Sequence, residues 1–222
     1  MPKIVLSIQL LRYIQHVSVQ HLAEEIKALL QSNKPRTIIG IVGKPGSGKS
    51  TVVAEIQNQF KGSDVAIIPM DGYHLSNEEL IELGRRDRKG APDTFDVTGF
   101  ASLLAKVKNE IQVEHRFPIF HREIEASISG EGVVCANTKV VVVEGNYLFS
   151  EEHNWNEVFP LLDQSWYIEI DDEIRIQRLI ARHIRYGKSP QDAEAWSLGS
   201  DEMNARFIEK SANRAEKVIN LT

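Results

Sequence analysis

The sequence predicts an α/β fold, a mostly parallel doubly wound sheet with helices on both faces. Three observations predict it. β-branched runs alternate with helix-length amphipathic stretches. The strand-like runs, "RTIIGIVG" and "KVVVVEGNYL" among them, are apolar throughout rather than alternating, as strands buried on both faces are. No internal repeat, low-complexity tract or linker divides the 222 residues, so one domain with an irregular insertion is the economical arrangement.

In chain order, the opening "MPKIVLSIQLLRYIQ" is apolar, but Gln9 and Arg12 interrupt it and no small-residue cleavage site follows. Between Val17 and Leu30, the side chains of Val19, Leu22, Ile26, Leu29 and Leu30 share a helical face. Ser18 is placed to cap that helix and Asn33-Lys34-Pro35 to end it. Residues 1–35 are therefore expected as a helical extension and 36–222 as the single domain. After the first strand, "STVVAEIQNQF" reads as a helix and "VAIIPM" as a second strand ending at "DGYH". Leu75 to Gly99 is polar and irregular, with a short helix over Glu78–Leu83 and the basic cluster "RRDRKG". Asp96 is placed to cap a helix whose face is Phe100, Leu103, Leu104 and Val107. "SWYIEID" is a further strand, Asp172–Tyr186 and Ser189–Ala212 read as helices, and "AEKVINLT" closes the sheet.

The composition, 42% hydrophobic and 26% charged, is that of a globular chain with enough apolar material for a core. A net charge of −5 gives no field that would attract nucleic acid, and none is expected as a partner. No stretch reaches the roughly 18 uninterrupted apolar residues of a membrane span, so no membrane partner is expected. Cys135 is the only cysteine, which excludes an intramolecular disulfide and suits a reducing, cytoplasmic location. Trp155, Trp166 and Trp196 are expected as packing residues. A homodimer through the first helix stays open, as does that helix serving as a cover for the sheet.

"IIGIVGKPGSGKSTVV" carries the first chemical signal. Gly43-Lys44-Pro45-Gly46-Ser47-Gly48-Lys49-Ser50, with Thr51 following, matches G-x-x-x-x-G-K-[ST]. Glycines let backbone N–H groups turn toward phosphate oxygens where a Cβ would block them, and the following helix aims its positive end at the same anion. Lys49 would reach the outer phosphates and Ser50 would offer its hydroxyl to Mg²⁺. A strand-to-helix turn with an incidental lysine is the bland alternative. The strand before the loop and the helix pattern after it favour a phosphate cradle for ATP.

Asp71 lies 21 residues after Ser50, room for one helix, a connection and one strand. That puts its carboxylate at the C-terminal edge of the sheet, on the side of the loop, where it can take a proton from an attacking hydroxyl. A turn-capping aspartate before Gly72 is the competing reading. Glu144, closing a run of four valines, is placed to hold Mg²⁺ or its waters. In "DDEIRIQRLIARHIRYGKS", Arg175, Arg178, Arg182 and Arg185 stack along one flank, with Ile174, Leu179 and Ile180 free to pack. Arginines in a lid over about 172–200 would neutralise charge on a transferring phosphoryl group; a solvated basic face is the alternative.

These pieces, "GKPGSGKS", "MDGYH", "RKGAPDTFD", "FPIFHREIE", "VVVVEGNYL" and "RLIARHIRYGKS", occur in the order found in the phosphoribulokinase, uridine kinase and bacterial pantothenate kinase family of P-loop kinases. The chain resembles that family from about Arg36 onward, most of all its YggC-type branch of nucleoside- or fructose-transport-associated kinases. The resemblance implies a three-layer P-loop fold with a helical lid, ATP with Mg²⁺, and phosphorylation of a small molecule's hydroxyl. It implies Asp71 as the base and Lys49, Arg178 and Arg182 as groups that stabilise the transferring phosphate. By the same resemblance Tyr73, His74, Phe95, His121 and Arg122 contact the acceptor. Arg88 and Lys89 either touch an anionic acceptor or belong to a solvated charge run.

Uridine kinases carry a "YD" element where this chain has "IFHREIE", and a lid of "RRD…RGR" where it has "ARH…YGK". The acceptor therefore stays open among nucleosides, pantothenate-like acids and sugars. A nucleotide-dependent switch without a small acceptor is the rival reading, although no N-K-x-D base-reading element occurs late in the chain.

Overall fold

The computed structural model describes residues 15–17, 19–60 and 62–221. Ser18, read as a helix cap, and the opening stretch 1–14 lie outside the described residues. The elements run β1 (Gln15–Val17), α1 (Val19–Gln31), β2 (Thr37–Gly43), α2 (Lys49–Gln59), β3 (Val65–Pro69), α3 (Asn77–Glu82) and α4 (Val97–Asn109). They continue β4 (His115–His121), β5 (Ala126–Val134), β6 (Val140–Glu144), β7 (Gln164–Glu169), α5 (Asp172–Arg185), α6 (Pro190–Leu198), α7 (Ser200–Glu209) and β8 (Lys217–Asn220).

The main sheet is parallel throughout, ordered β1-β8-β7-β2-β6-β3. The period of two along each strand sorts its apolar residues onto two faces. Ile39, Ile41, Val140, Val142 and Ile168 pack with Leu22 and Ile26 of α1 and with Val52 and Ile56 of α2. Ile38, Val42, Val141 and Val143 pack on the other side with Phe100, Leu104 and Val107 of α4 and with Tyr147 and Trp155. Each such side chain contributes roughly 1.5–3 kcal/mol on burial. A strand covered on both faces favours apolar residues at successive positions, which is why these runs are mostly apolar.

Helix α1 is therefore a cover for the sheet, and β1 extends the sheet by pairing with β8. The described residues before 36 join the common core, which is more than the helical extension expected. The α4 cap is as expected, with the Asp96 carboxylate accepting from the Gly99 N–H at 2.8 Å.

Several expectations change. No strand is expected from the sequence over residues 115–134, yet β4 and β5 form a separate antiparallel ribbon. Pro118 hides it: the register shifts between Phe117 and Ile119, a bulge of the kind that tolerates proline. The helix expected over Ser189–Ala212 is two, α6 and α7, because the chain bends at Gly199 (φ −98°, ψ −94°). Trp155 and Trp166 are buried, but Trp196 is 38% exposed and Ile174 42%, so these two are not the packing residues expected.

Candidate active site

Strand β2 hands over to α2 through the glycine loop at the C-terminal edge of the sheet. Gly46 (φ 81°) and Gly48 (φ 95°) occupy the left-handed region that side chains resist. A Cβ on Gly46 would stand 2.7 Å from the Arg175 carbonyl oxygen, so the loop lies directly against α5. Folded this way, the loop leaves the first N–H groups of α2, which lack intrahelical acceptors, at the cleft. Lys49 is buried, and its Nζ donates to the carbonyls of Gly43 (2.7 Å) and Lys44 (3.3 Å). Burial pushes its pKa down, against the opposing pull of Glu144 and Asp71.

The cleft above this loop measures about 1400 Å³. Pro45, Gly46, Gly48, Lys49, Ser50 and Thr51 line it, whereas Gly43, Lys44 and Ser47 lie behind the loop and support it. Lys44 Nζ reaches the Asp172 carboxylate at 2.6 Å, and the Ser47 hydroxyl is buried without a partner among the described residues.

Parallel register brings the carboxylates to the same edge. Glu144 pairs with Ile41 on one side and Pro69 on the other. Asp71 follows Pro69 by two residues, in a 3-10 turn over Met70–Tyr73, and lines the cleft opposite the loop. The Asp71 carboxylate accepts a hydrogen bond from Arg122 Nη2 at 3.0 Å. The β4–β5 ribbon delivers that arginine by packing hard on the turn: a Cβ on Gly72 would fall 2.0 Å from the Pro118 carbonyl oxygen. Desolvation raises the Glu144 pKa to about 6, with Lys49 opposing and Asp71 reinforcing the shift.

The acceptor half of the cleft is aromatic. His74 lies 4.1 Å from the Phe95 ring and 4.8 Å from that of Phe120, centroid to centroid. Its Nδ1–H donates to the Asp71 carbonyl at 2.8 Å, and burial lowers its pKa, so a neutral imidazole faces the cleft. Lys89 lines the same wall, donating to Asn77 Oδ1 and the Glu125 carbonyl, both at 2.9 Å.

Three expected acceptor contacts are not brought here. Tyr73 turns into the core against Phe100, with centroids 5.0 Å apart. Arg88 spends its guanidinium on both oxygens of Asp93, at 2.5 and 2.6 Å. His121 points to the other side of its strand, where Nε2 pairs with Glu131 at 2.6 Å. Phe120, its neighbour, takes the position facing the cleft. Adjacent residues on a strand face opposite ways, and only the ribbon's docking decides which one faces in.

The arginine helix divides in the same manner. Arg178 and Arg182 line the cleft, and an Arg178 Nη lies 3.4 Å from where a Gly48 Cβ would be. Arg185 is exposed outside the cleft, and Arg175, expected to face it, is fully buried beneath the loop. Its Nε donates to Asp172 at 2.8 Å, Nη1 to the Pro45 carbonyl at 3.4 Å, and Nη2 to Glu202. Arg175 is thus the tie between the glycine loop, α5 and α7. Arg175→Met removes these charge-assisted bonds, although Asp172 keeps Lys44 and Glu202 keeps Arg206, and we expect a loss of about 3 kcal/mol. A thermal melt would read this as a fall of roughly 6–12 °C for a chain of this size.

Asn146, Lys188 and Trp196 also line the cleft, Lys188 Nζ standing 4.1 Å above the Trp196 ring. Asn146 directly follows the "EG" of β6 and was open to sequence reasoning by that adjacency. Trp196 carried no such signal. No helix among the described residues is long and apolar enough to cross a membrane.

A family model described as phosphoribulokinase / uridine kinase matches residues 38–221. The chain belongs to this family. This family member is 32% identical over 192 residues to the provisionally named uridine kinase C227.14 of Schizosaccharomyces pombe, covering 82% of each chain. It is 30% identical over 201 residues to the uncharacterised protein YggC of Escherichia coli K12, covering 88% of this chain and 83% of that one. Among solved structures, a provisionally named fructose transport system kinase from Silicibacter sp. TM1040 superposes with a TM-score of 0.82 at 32% identity, covering 91% of this chain and 98% of that one. Membership brings the P-loop kinase fold and nucleotide use as family properties.

Proposed function

We propose that this protein transfers the γ-phosphoryl group of ATP to a hydroxyl of a small metabolite of nucleoside, pantothenate-like or sugar type. The observation that carries the reading is the Asp71 carboxylate lining the same cleft as Lys49 and the glycine loop, with an aromatic wall beside it. The acceptor oxygen bonds to the γ-phosphorus as the bond to the β-phosphate oxygen breaks and its electron pair leaves with ADP. The hydroxyl proton passes to Asp71, which later returns it to water. Lys49, Arg178 and Arg182 offset the charge spread over the phosphoryl oxygens.

The donors at the loop suit Mg²⁺. Ser50 and Glu144 are hard oxygen ligands, and the burial that raises the Glu144 pKa makes a cation beside it favourable. Among the described residues no group of three or more His, Cys, Asp or Glu side chains is arranged to hold a metal. When bound, the ion would neutralise phosphate charge.

A pH dependence follows. With its pKa raised from 4.5 to about 6, Glu144 favours the folded protein when protonated, a contribution lost as pH rises through about 6. A cation at that carboxylate reverses the preference, so metal–nucleotide binding expels a proton near pH 6 and weakens below it. Calorimetry in buffers of different ionisation enthalpy would register the proton, and Glu144→Gln is expected to abolish it.

The acceptor is found by following ADP release from the purified protein over a panel of nucleosides, vitamins and sugars. Strong stimulation by one chemical class identifies it. Hydrolysis that answers only to a protein partner would replace the kinase reading with a switch.

A further inference from the structure

We propose that Arg122 is a catalytic residue that bridges the base and the transferring phosphoryl group. The proposal rests on the phosphotransfer reading above. Arg122 leaves the ribbon immediately after β4 and enters the cleft with its side chain half exposed. Among the described residues it makes one hydrogen bond, from Nη2 to Asp71 Oδ2 at 3.0 Å. A guanidinium devoted to a carboxylate usually presents two parallel N–H groups to it. Here one donor suffices and the rest of the fork is unspent.

The surrounding charges gather in the same cleft. Arg122 is electrostatically coupled to Glu144 at the end of β6, to Arg182 on α5 and to His74 beyond β3. Lys49, Asp71, Glu144 and Arg182 also act on one another across the same gap. Charged groups from α2, the turn after β3, the β4–β5 ribbon, β6 and α5 therefore line one cleft. Lys49 approaches it from the glycine loop, Arg182 from the lid and Arg122 from the acceptor side.

An acceptor hydroxyl bound to Asp71 Oδ1 would place its oxygen beside the Arg122 fork. As that oxygen bonds to phosphorus and the bond to ADP breaks, its proton moves to Asp71 and the arginine keeps all of its own. The open N–H groups then meet phosphoryl oxygens whose charge is greatest midway through transfer, where a fixed donor has most effect. Arg122 also keeps the Asp71 carboxylate facing the gap.

An orienting role alone and a bridging role separate in binding rather than in turnover. ADP with fluoroaluminate and Mg²⁺ imitates the phosphoryl group in transit and needs no acceptor. We expect the unaltered protein to bind this complex more tightly than ADP. Arg122→Met should lose about 10- to 100-fold of that gain with ADP affinity unchanged, and Arg122→Lys should restore part of it. Asp71→Asn, which removes the proton acceptor and its charge but leaves Arg122 an amide oxygen, should retain the gain. Fluoroaluminate binding by Arg122→Met as tight as that of the unaltered protein would overturn the proposal and leave Arg122 acting through Asp71 alone. An absence of any gain in the unaltered protein would reject the proposal together with the transfer point. A blank acceptor panel beside an Arg122-dependent gain would instead count against the acceptor classes chosen and for Arg122.

Discussion

Lys49→Met lowers kcat/KM about 10³-fold, the scale on which a single preorganised charge at a developing anion acts. Three features set the size of the effect. The ammonium is buried, it is held by the carbonyls of Gly43 and Lys44, and no other cation reaches the cleft from the glycine loop. Arg178 and Arg182 lie on the lid helix and approach from another side. Methionine is close in volume and removes a desolvated charge, so the melting temperature should hold or rise. Glu144 loses the neighbour that opposes its protonation, and its pKa should climb further. Steady-state ADP release and a melt on the same preparation test both halves. An unchanged kcat/KM would remove Lys49 from the phosphate site.

Asp71→Asn lowers kcat about 10²- to 10⁴-fold, the reach of a general base, and leaves ATP affinity near its original value. The substitution keeps the shape of the turn and its packing on Pro118, and removes the capacity to take a proton. Arg122 keeps a hydrogen-bond acceptor in the amide oxygen, although the charge is gone. Single-turnover measurements with saturating ATP separate a slower chemical step from weaker binding. Turnover near that of the unaltered protein would exclude Asp71 as the base, and the proton would need another acceptor.

Much of the site lies within short contiguous stretches. The glycine loop joins one strand to one helix, and its left-handed Gly46 and Gly48 were readable from the motif. Asp71 and Glu144 were readable as strand-end residues because parallel strands that begin together also end together at one edge. The β4–β5 ribbon was not readable, since Pro118 and the glycines of β5 interrupt any alternation. Arg175 and Arg178 were alike in sequence, three residues apart on one flank of α5, yet one is sealed beneath the loop and the other opens on the cleft. Tyr73, Arg88 and His121 had suitable chemistry and near neighbours in the site, but each faces elsewhere.

The amino-acid order alone determined the layered α/β architecture, the phosphate cradle and the edge at which the carboxylates gather. These follow from local backbone preferences and from hydrophobic period, both properties of neighbouring residues. Tertiary structure alone decided which arginines serve the cleft, that Phe120 rather than His121 lines the acceptor wall, and that Arg122 meets Asp71 across 51 positions of sequence. Such contacts depend on how a ribbon or helix rotates as it packs, and packing is set by surfaces that the chain brings together only once it has folded.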